Sequence, residues 1–273
     1  MSFPILQKYL ARLSDATGAA SSIWLDHEGK AQGRFFNCTM SSAFQPIRQL
    51  DSQAVQAYEG LARSVSAQDL GLSLWKLLDH AASDDESIEL DRLCRMLHAI
   101  NFFRQAGDSG ADLYLNVHDR LLSAVSSNHG HAFRRILDAL ELPLERVVLQ
   151  LPAATPQQGW LLNYVSDNYR RNGFRFAVNV SSARDGMAVL DRLRPDVFKL
   201  DARELQDQKG LTELLQRSAA ARVAVVFKRV ETEQHLTALR ELGAAAGVSL
   251  LVQGYLLDEP RSVLLGEPAR RAA

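Results

Sequence analysis

A series of short apolar runs in this chain each end on, or beside, a side chain that could do chemistry. Carboxylates at Glu59, Asp201 and Glu231 could hold cations or take protons. Ammonium groups at Lys199 and Lys228 and the guanidinium of Arg63 suit phosphate, and the amides of Asn116, Gln150, Asn179 and Gln253 could orient either partner. Taken singly, each is equally a helix cap or a solvated loop residue. Their recurrence at one run after another points to a shared site.

The elements that would bring them together follow from periodicity. Residues 55–62, 112–117, 146–151, 174–180, 196–200, 222–228 and 248–253 read as strands, preceded by 44–48. Most gaps hold a stretch of helical period: 70–82, 85–106, 133–140, 159–172, 186–193, 211–220 and 231–242. Strands buried on both faces and separated by helices predict a parallel sheet, and eight of them predict that it closes into a barrel. A doubly wound open sheet is the alternative, but no glycine-rich phosphate loop follows the early strands. In a barrel the polar residues ending the strands converge on one face. Ahead of it, Phe3, Leu6, Leu10 and Leu13 have the spacing of a helix with one buried stripe, stopped near Gly18, and 23–25 with 34–38 read as a hairpin.

Composition excludes several classes. With 31 basic and 32 acidic residues among 273, no global field draws the chain to nucleic acid or anionic lipid, so any anion site is local. The apolar runs 223–227 and 248–252 are far shorter than the roughly 20 residues needed to cross a bilayer, which predicts a cytoplasmic protein with no membrane contact. Cys38 and Cys94 lack metal or redox spacing and read as reduced core thiols. His129 and His131 are not spaced as metal ligands within a larger set, and Trp24, Trp75 and Trp160 read as packing residues. Asp84, Asp85 and Glu86 suit a helix N-terminus.

Six motifs in order resemble the EAL family of cyclic-di-GMP phosphodiesterases. Phe44–Gln45–Pro46–Ile47 is similar to its first strand, and Tyr58–Glu59–Gly60–Leu61–Ala62–Arg63 stands where the signature E-A-L-L-R is expected, with Gly60 in place of alanine. Leu115–Asn116–Val117, Lys199–Leu200–Asp201, Val230–Glu231–Thr232 and Gln253–Gly254–Tyr255 are similar to V-N, K-I-D, V-E-T and Q-G-Y. The resemblance implies a (β/α)8 TIM-like barrel with an atypical first strand over 40–262, an N-terminal helical and hairpin extension over 1–39, and a tail over 263–273. It also implies hydrolysis of a cyclic dinucleotide with two divalent metals, which need several anionic oxygens, and a carboxylate to take the proton of water.

The departures fall on those groups. The fourth-strand motif L-E-x-T-E reads Leu149–Gln150–Leu151–Pro152–Ala153, the Asp-Asp motif reads Asn179–Val180–Ser181–Ser182, and the base motif reads Phe227–Lys228–Arg229. Of the family's carboxylates, Glu59 and Glu231 keep their place. A degenerate domain without hydrolysis, catalytic residues or bound divalent metal is therefore expected, working in bacterial cyclic-di-GMP signalling through a protein partner such as a transcriptional or signalling regulator. The alternative is a metal-independent cyclic-di-GMP receptor, which would use Gln45, Glu59, Leu61, Arg63, Asn116, Lys199, Asp201, Lys228, Arg229, Glu231 and Gln253. In that reading Lys228 and Arg229 supply the positive charge that metals would bring; against it, Lys228 pairs with Glu59 or Glu231 in an internal salt bridge. The N-terminal helix and the 179–185 loop are the candidate docking faces. The resemblance places homodimer contacts in that altered loop, which leaves a monomer and a different dimer both open.

Overall fold

The structure, a computed structural model, describes residues 3–17, 23–35, 38–64, 83–107, 109–118, 129–152 and 159–265, without the side chains of 3, 12–17, 84, 85 and 129. The helix expected over 70–82, with Trp75, lies outside the described residues. Their elements run α1 (Phe3–Thr17), β1 (Ile23–Leu25), β2 (Ala31–Phe35), β3 (Cys38–Gln49), β4 (Val55–Ser64), α2 (Asp84–Ala106), β5 (Asp112–Asn116), α3 (His129–Ala139), β6 (Val147–Leu151), α4 (Gly159–Arg171) and β7 (Arg175–Asn179). They continue with α5 (Ala183–Leu193), β8 (Val197–Asp201), α6 (Gln208–Ala220), β9 (Ala224–Lys228), α7 (Glu233–Ala246) and β10 (Leu251–Val252).

Strands β3 to β10 close on themselves as a barrel of eight. The seven strands β4 to β10 are parallel neighbours, whereas β3 runs antiparallel to both β4 and β10. The expected barrel and its unusual first strand are therefore both present. The cause of the reversal is local: β3 and β4 are joined by a tight turn in which Gln49 N donates to Ala54 O and Gln53 takes the left-handed conformation (φ 58°). The remaining strands need crossovers, which helices supply.

Strand β6, Val-Val-Leu-Gln-Leu, shows why these runs are apolar throughout. All five of its residues are buried; Val147, Leu149 and Leu151 face the helical layer and Val148 faces the barrel axis. Around the barrel, α2 begins with a capping box in which Ser83 Oγ accepts from Glu86 N and Glu86 Oε2 accepts from Ser83 N. The helix therefore begins at the acidic cluster, as expected.

Several boundaries differ from expectation: the second hairpin strand is 31–35 rather than 34–38, α3 begins at 129 rather than 133, and the first and last strands of the barrel differ in length. The first barrel strand is much longer than 44–48 because its start, Cys38–Met40, leaves the barrel to pair with β2, which pairs in turn with β1. Asn101 of α2 pins this extension, its Oδ1 accepting from Ala31 N at 2.7 Å and its Nδ2 donating to Ala31 O at 2.8 Å. The last strand is shorter than 248–253 because Gly247, in the left-handed conformation, ends α7 and 248–250 are used in the turn back to the sheet. Helix α1 buries Leu6 and Tyr9 and half-buries Leu10, so its stripe covers the core; Phe3 and Leu13 lie outside the described side chains. Cys94 is buried and Cys38 half-buried, both free thiols. The expected packing role of Trp160 is corrected: it is 64% exposed, because Leu161, Leu162 and Val165 form the buried stripe of α4 and leave it outside. No described helix is long and apolar enough to cross a membrane.

Candidate functional site

The barrel interior is built in two layers whose positions are two residues apart. Ile47, Ala57, Tyr114, Val148, Ala177, Val197 and Val226 pack together with half-buried Leu251 as an apolar plug. Side chains alternate along a strand, so the next inward position on each is Gln45, Glu59, Asn116, Gln150, Asn179, Lys199, Lys228 and Gln253. Since β3 is reversed, its polar residue precedes the apolar one. One polar residue from each of eight strands thus forms a second ring above the plug.

Lys199 is the hub of this ring. Its side chain is 1% exposed, and its Nζ donates to Gln150 Oε1 at 2.6 Å, Glu59 Oε2 at 2.8 Å and Gln253 Oε1 at 3.0 Å. Glu59 also accepts from Asn116 Nδ2 and Gln253 Nε2, both at 2.8 Å, while Gln150 Nε2 donates to Asn116 Oδ1 and Gln253 Nε2 to Gln45 Oε1. Gln45 Nε2 ends the chain of bonds on Asp258 O at 2.9 Å. Burial alone would raise the Glu59 pKa, but the Lys199 charge and the three donated hydrogen bonds outweigh it and hold the carboxyl at about 2. Glu59 is an ionised carboxylate whose oxygens are already occupied.

Lys228 stands apart from that hub. Its Nζ donates to Asn179 Oδ1 at 2.6 Å, and no carboxylate of the described residues lies within ion-pair distance of it. The expected alternative, a salt bridge to Glu59 or Glu231, is corrected: Glu59 is taken by Lys199, and Glu231 is exposed, its backbone N reaching His235 Nδ1. Burial and the neighbouring Lys199 charge lower the Lys228 pKa.

Around the rim, Asp201 accepts from Arg229 Nη1 at 2.9 Å and, through both oxygens, from Arg203. Although burial opposes it, these bonds hold Asp201 at about 2. Arg63 is exposed, bonded to Ala62 O at 3.3 Å, and Leu61 is half-buried beside it. The structure therefore gathers Gln45, Glu59, Asn116, Lys199 and Gln253 into one network and Asp201 and Arg229 into a second. It leaves Arg63 and Glu231 at the periphery.

Two glycines explain why the motifs are spaced as they are. A Cβ on Gly254 would lie 2.1 Å from Val230 O, so the turn after β10 can approach the loop after β9 only through glycine; Leu256 N then donates to Val230 O. A Cβ on Gly60 would lie 2.9 Å from both Cβ and Cγ of His98, a buried residue of α2 whose Nδ1 sits 2.7 Å from Ser42 Oγ. Burial pushes the His98 pKa down to about 3, so the ring that presses on the signature strand is neutral. Sequence reasoning takes His98 only as one of several scattered histidines not spaced as ligands, and passes over Arg203 and the Arg48–Asp258 pair, bonded at 2.6 and 2.8 Å. The last has a sequence signal in hindsight, since Arg48 is a charge placed directly after the buried stretch 42–47.

A family model described as the EAL domain matches residues 29–260. The chain belongs to the EAL domain family. Among solved structures, this EAL domain is similar to Klebsiella pneumoniae BlrP1 in a manganese and cyclic-di-GMP complex: 21% identity, TM-score 0.67, covering 81% of this chain and 56% of that one. It is also similar to Bacillus subtilis YkuI in complex with cyclic-di-GMP and calcium (21%, TM-score 0.67, 84% and 58%) and to a stand-alone EAL protein from Vibrio cholerae O395 with cyclic-di-GMP bound (19%, TM-score 0.64, 86% and 98%). At these identities the likeness shows the fold, and the chain spans little more than half the length of the first two. Curated protein sequences gave no match.

Metals in such relatives raise the question of whether this EAL domain has the donors for them. Its inward ring holds one carboxylate, Glu59, against two ammonium groups, Lys199 and Lys228, the other five members being amides. Two divalent cations would meet a ring already carrying net positive charge, with its one carboxylate bound to lysine. Among the described residues no three His, Cys, Asp or Glu side chains are gathered as a metal group. The residues present do not fit a two-metal centre.

Proposed function

We propose that this EAL domain serves cyclic-di-GMP-related signalling in the cytoplasm without hydrolysing the dinucleotide, acting by engagement of a protein partner. The observation that carries the reading is the Lys199 ammonium bonded to Glu59, Gln150 and Gln253. It ties six of the eight ring members into one network, in which the retained motif residues serve one another. Water attack on a phosphodiester at neutral pH needs metal-bound hydroxide or a free base, and the base position holds Lys228. Incubation of the purified protein with cyclic-di-GMP and Mg²⁺ or Mn²⁺ is expected to yield no linear dinucleotide. Steady turnover that is lost in Glu59→Ala would refute the proposal.

A second reading, a metal-independent receptor, is favoured by Lys228. It is a half-buried cation without a carboxylate partner among the described residues, at the end of the barrel where strand-end ligands bind. Titration calorimetry with cyclic-di-GMP separates the two. Metal-free binding that is lost in both Arg63→Ala and Lys228→Gln supports the receptor; no heat in either buffer leaves partner binding alone.

A further inference from the structure

The outer face of α4 carries a pair of exposed aromatic side chains. Trp160 and Tyr164 are one helical turn apart, 64% and 48% exposed, and so lie side by side on the solvent face. Large aromatics are normally withdrawn from water, and an adjoining exposed pair marks a contact surface more often than it marks nothing. A groove of about 340 Å³ runs between α4 and the end of α5, with Tyr164, Asp167, Arg170, Arg192 and Leu193 in its walls.

Charge identifies the occupant. Arg170, Arg171, Arg192 and Arg194 surround this face, where Asp167 is shared by Arg170 at 3.9 Å and Arg171 at 3.1 Å. Of the other acids nearby in sequence, Asp191 is bonded to Arg217 and Asp196 accepts from Phe176 N. Arg192 donates to Gly159 O at 3.3 Å, which holds its guanidinium at the start of α4, and neither it nor Arg194 has a carboxylate partner among the described residues. Arg194 is the left-handed cap of α5 and is exposed. Aromatic anchors beside two arginines, Arg192 and Arg194, that have no carboxylate partner among the described residues have the composition of a binding hot spot, here complementary to negative charge.

We infer that the α4–α5 face docks an acidic segment of a partner protein, with an apolar side chain of that segment against Trp160 and Tyr164 and its carboxylates on Arg192 and Arg194. This rests on the partner-binding reading above and names the surface and the chemistry it would use.

The probe is a random peptide display library selected on the full purified chain, with each recovered peptide then measured by fluorescence anisotropy. Recovered peptides are expected to be rich in Asp and Glu around an apolar residue and to bind at least about tenfold more weakly to Trp160→Ala and to Arg192→Glu. They should also weaken as salt is raised. Both positions are exposed, so thermal melting should be unchanged and serves as the control for folding. Peptides that bind both variants as well as the wild type, peptides without acidic residues, or no recovered peptide at all would overturn the surface. So would a dimer in sedimentation that Trp160→Ala dissociates, because a second copy would then be the occupant. Turnover of cyclic-di-GMP would instead sink the underlying reading and leave the peptide result standing, so the two failures are distinguishable.

Discussion

In the lower layer of the barrel, Ile47, Val148, Val197 and Val226 fill space; two residues along the same strands, Gln45, Gln150, Lys199 and Lys228 form hydrogen bonds instead. The two layers share a backbone, a register and an inward direction, yet they hold in different ways. The plug works by shape and exclusion of water, and each member can be replaced only by something of like volume and polarity. The ring works by complementarity, so a carboxylate can become an amide where another member can answer it.

The comparison breaks most visibly in the plug. Val148→Asp would bury a carboxylate among apolar side chains, and a cost beyond about 4 kcal/mol should leave the protein largely unfolded by circular dichroism. In the ring, Glu59→Gln removes the partner of a fully buried ammonium and should cost about 3 kcal/mol in urea denaturation. Gly60→Ala should cost about 1–3 kcal/mol, because the new methyl meets His98; in the double variant with His98→Ala the two costs should add to less than their sum.

Acid sharpens the distinction between the two cations. The Glu59 pKa is depressed in the folded state, so its stabilising contribution is complete above its ordinary value of 4.5 and is lost as pH falls toward about 2. Lys199→Met should raise that pKa and move the acid-unfolding midpoint upward, as carboxyl NMR and fluorescence would record. The smallest effect belongs to Lys228. Burial lowers its pKa, so its charge is a cost to the folded state at neutral pH, and Lys228→Gln should change stability by less than about 1 kcal/mol, in the stabilising direction.

Much of this was legible in the chain. Short apolar runs separated by helical stretches located the eight barrel strands, and the polar residues at their ends include seven of the eight members of the inward ring, alongside Arg63, Asp201 and Glu231, which lie outside it. What could not be read was which member answers which. Lys199 and Lys228 stand in equivalent strand positions, and only the cross-barrel distances decide that one takes Glu59 and the other Asn179. The short β10 was missed because apolar residues in a turn look like strand, and the extended β3 because its outer pairing depends on a hairpin earlier in the chain. Trp160 was misplaced by residue type, although the phase of Leu161, Leu162 and Val165 already put it on the outer face.

The reversed first strand also sets a timetable. Its pairing with β4 spans a single turn and can form early, but its other edge waits for Leu251 and Val252, after which Asp258 seizes Arg48, Arg261 bridges to Phe44 through paired backbone bonds and Tyr58 donates to Leu265 O. On a ribosome, the barrel therefore stays an open sheet until residues 251–265 have emerged. Until then the edges of β3 and of the latest strand made are exposed to any other chain nearby.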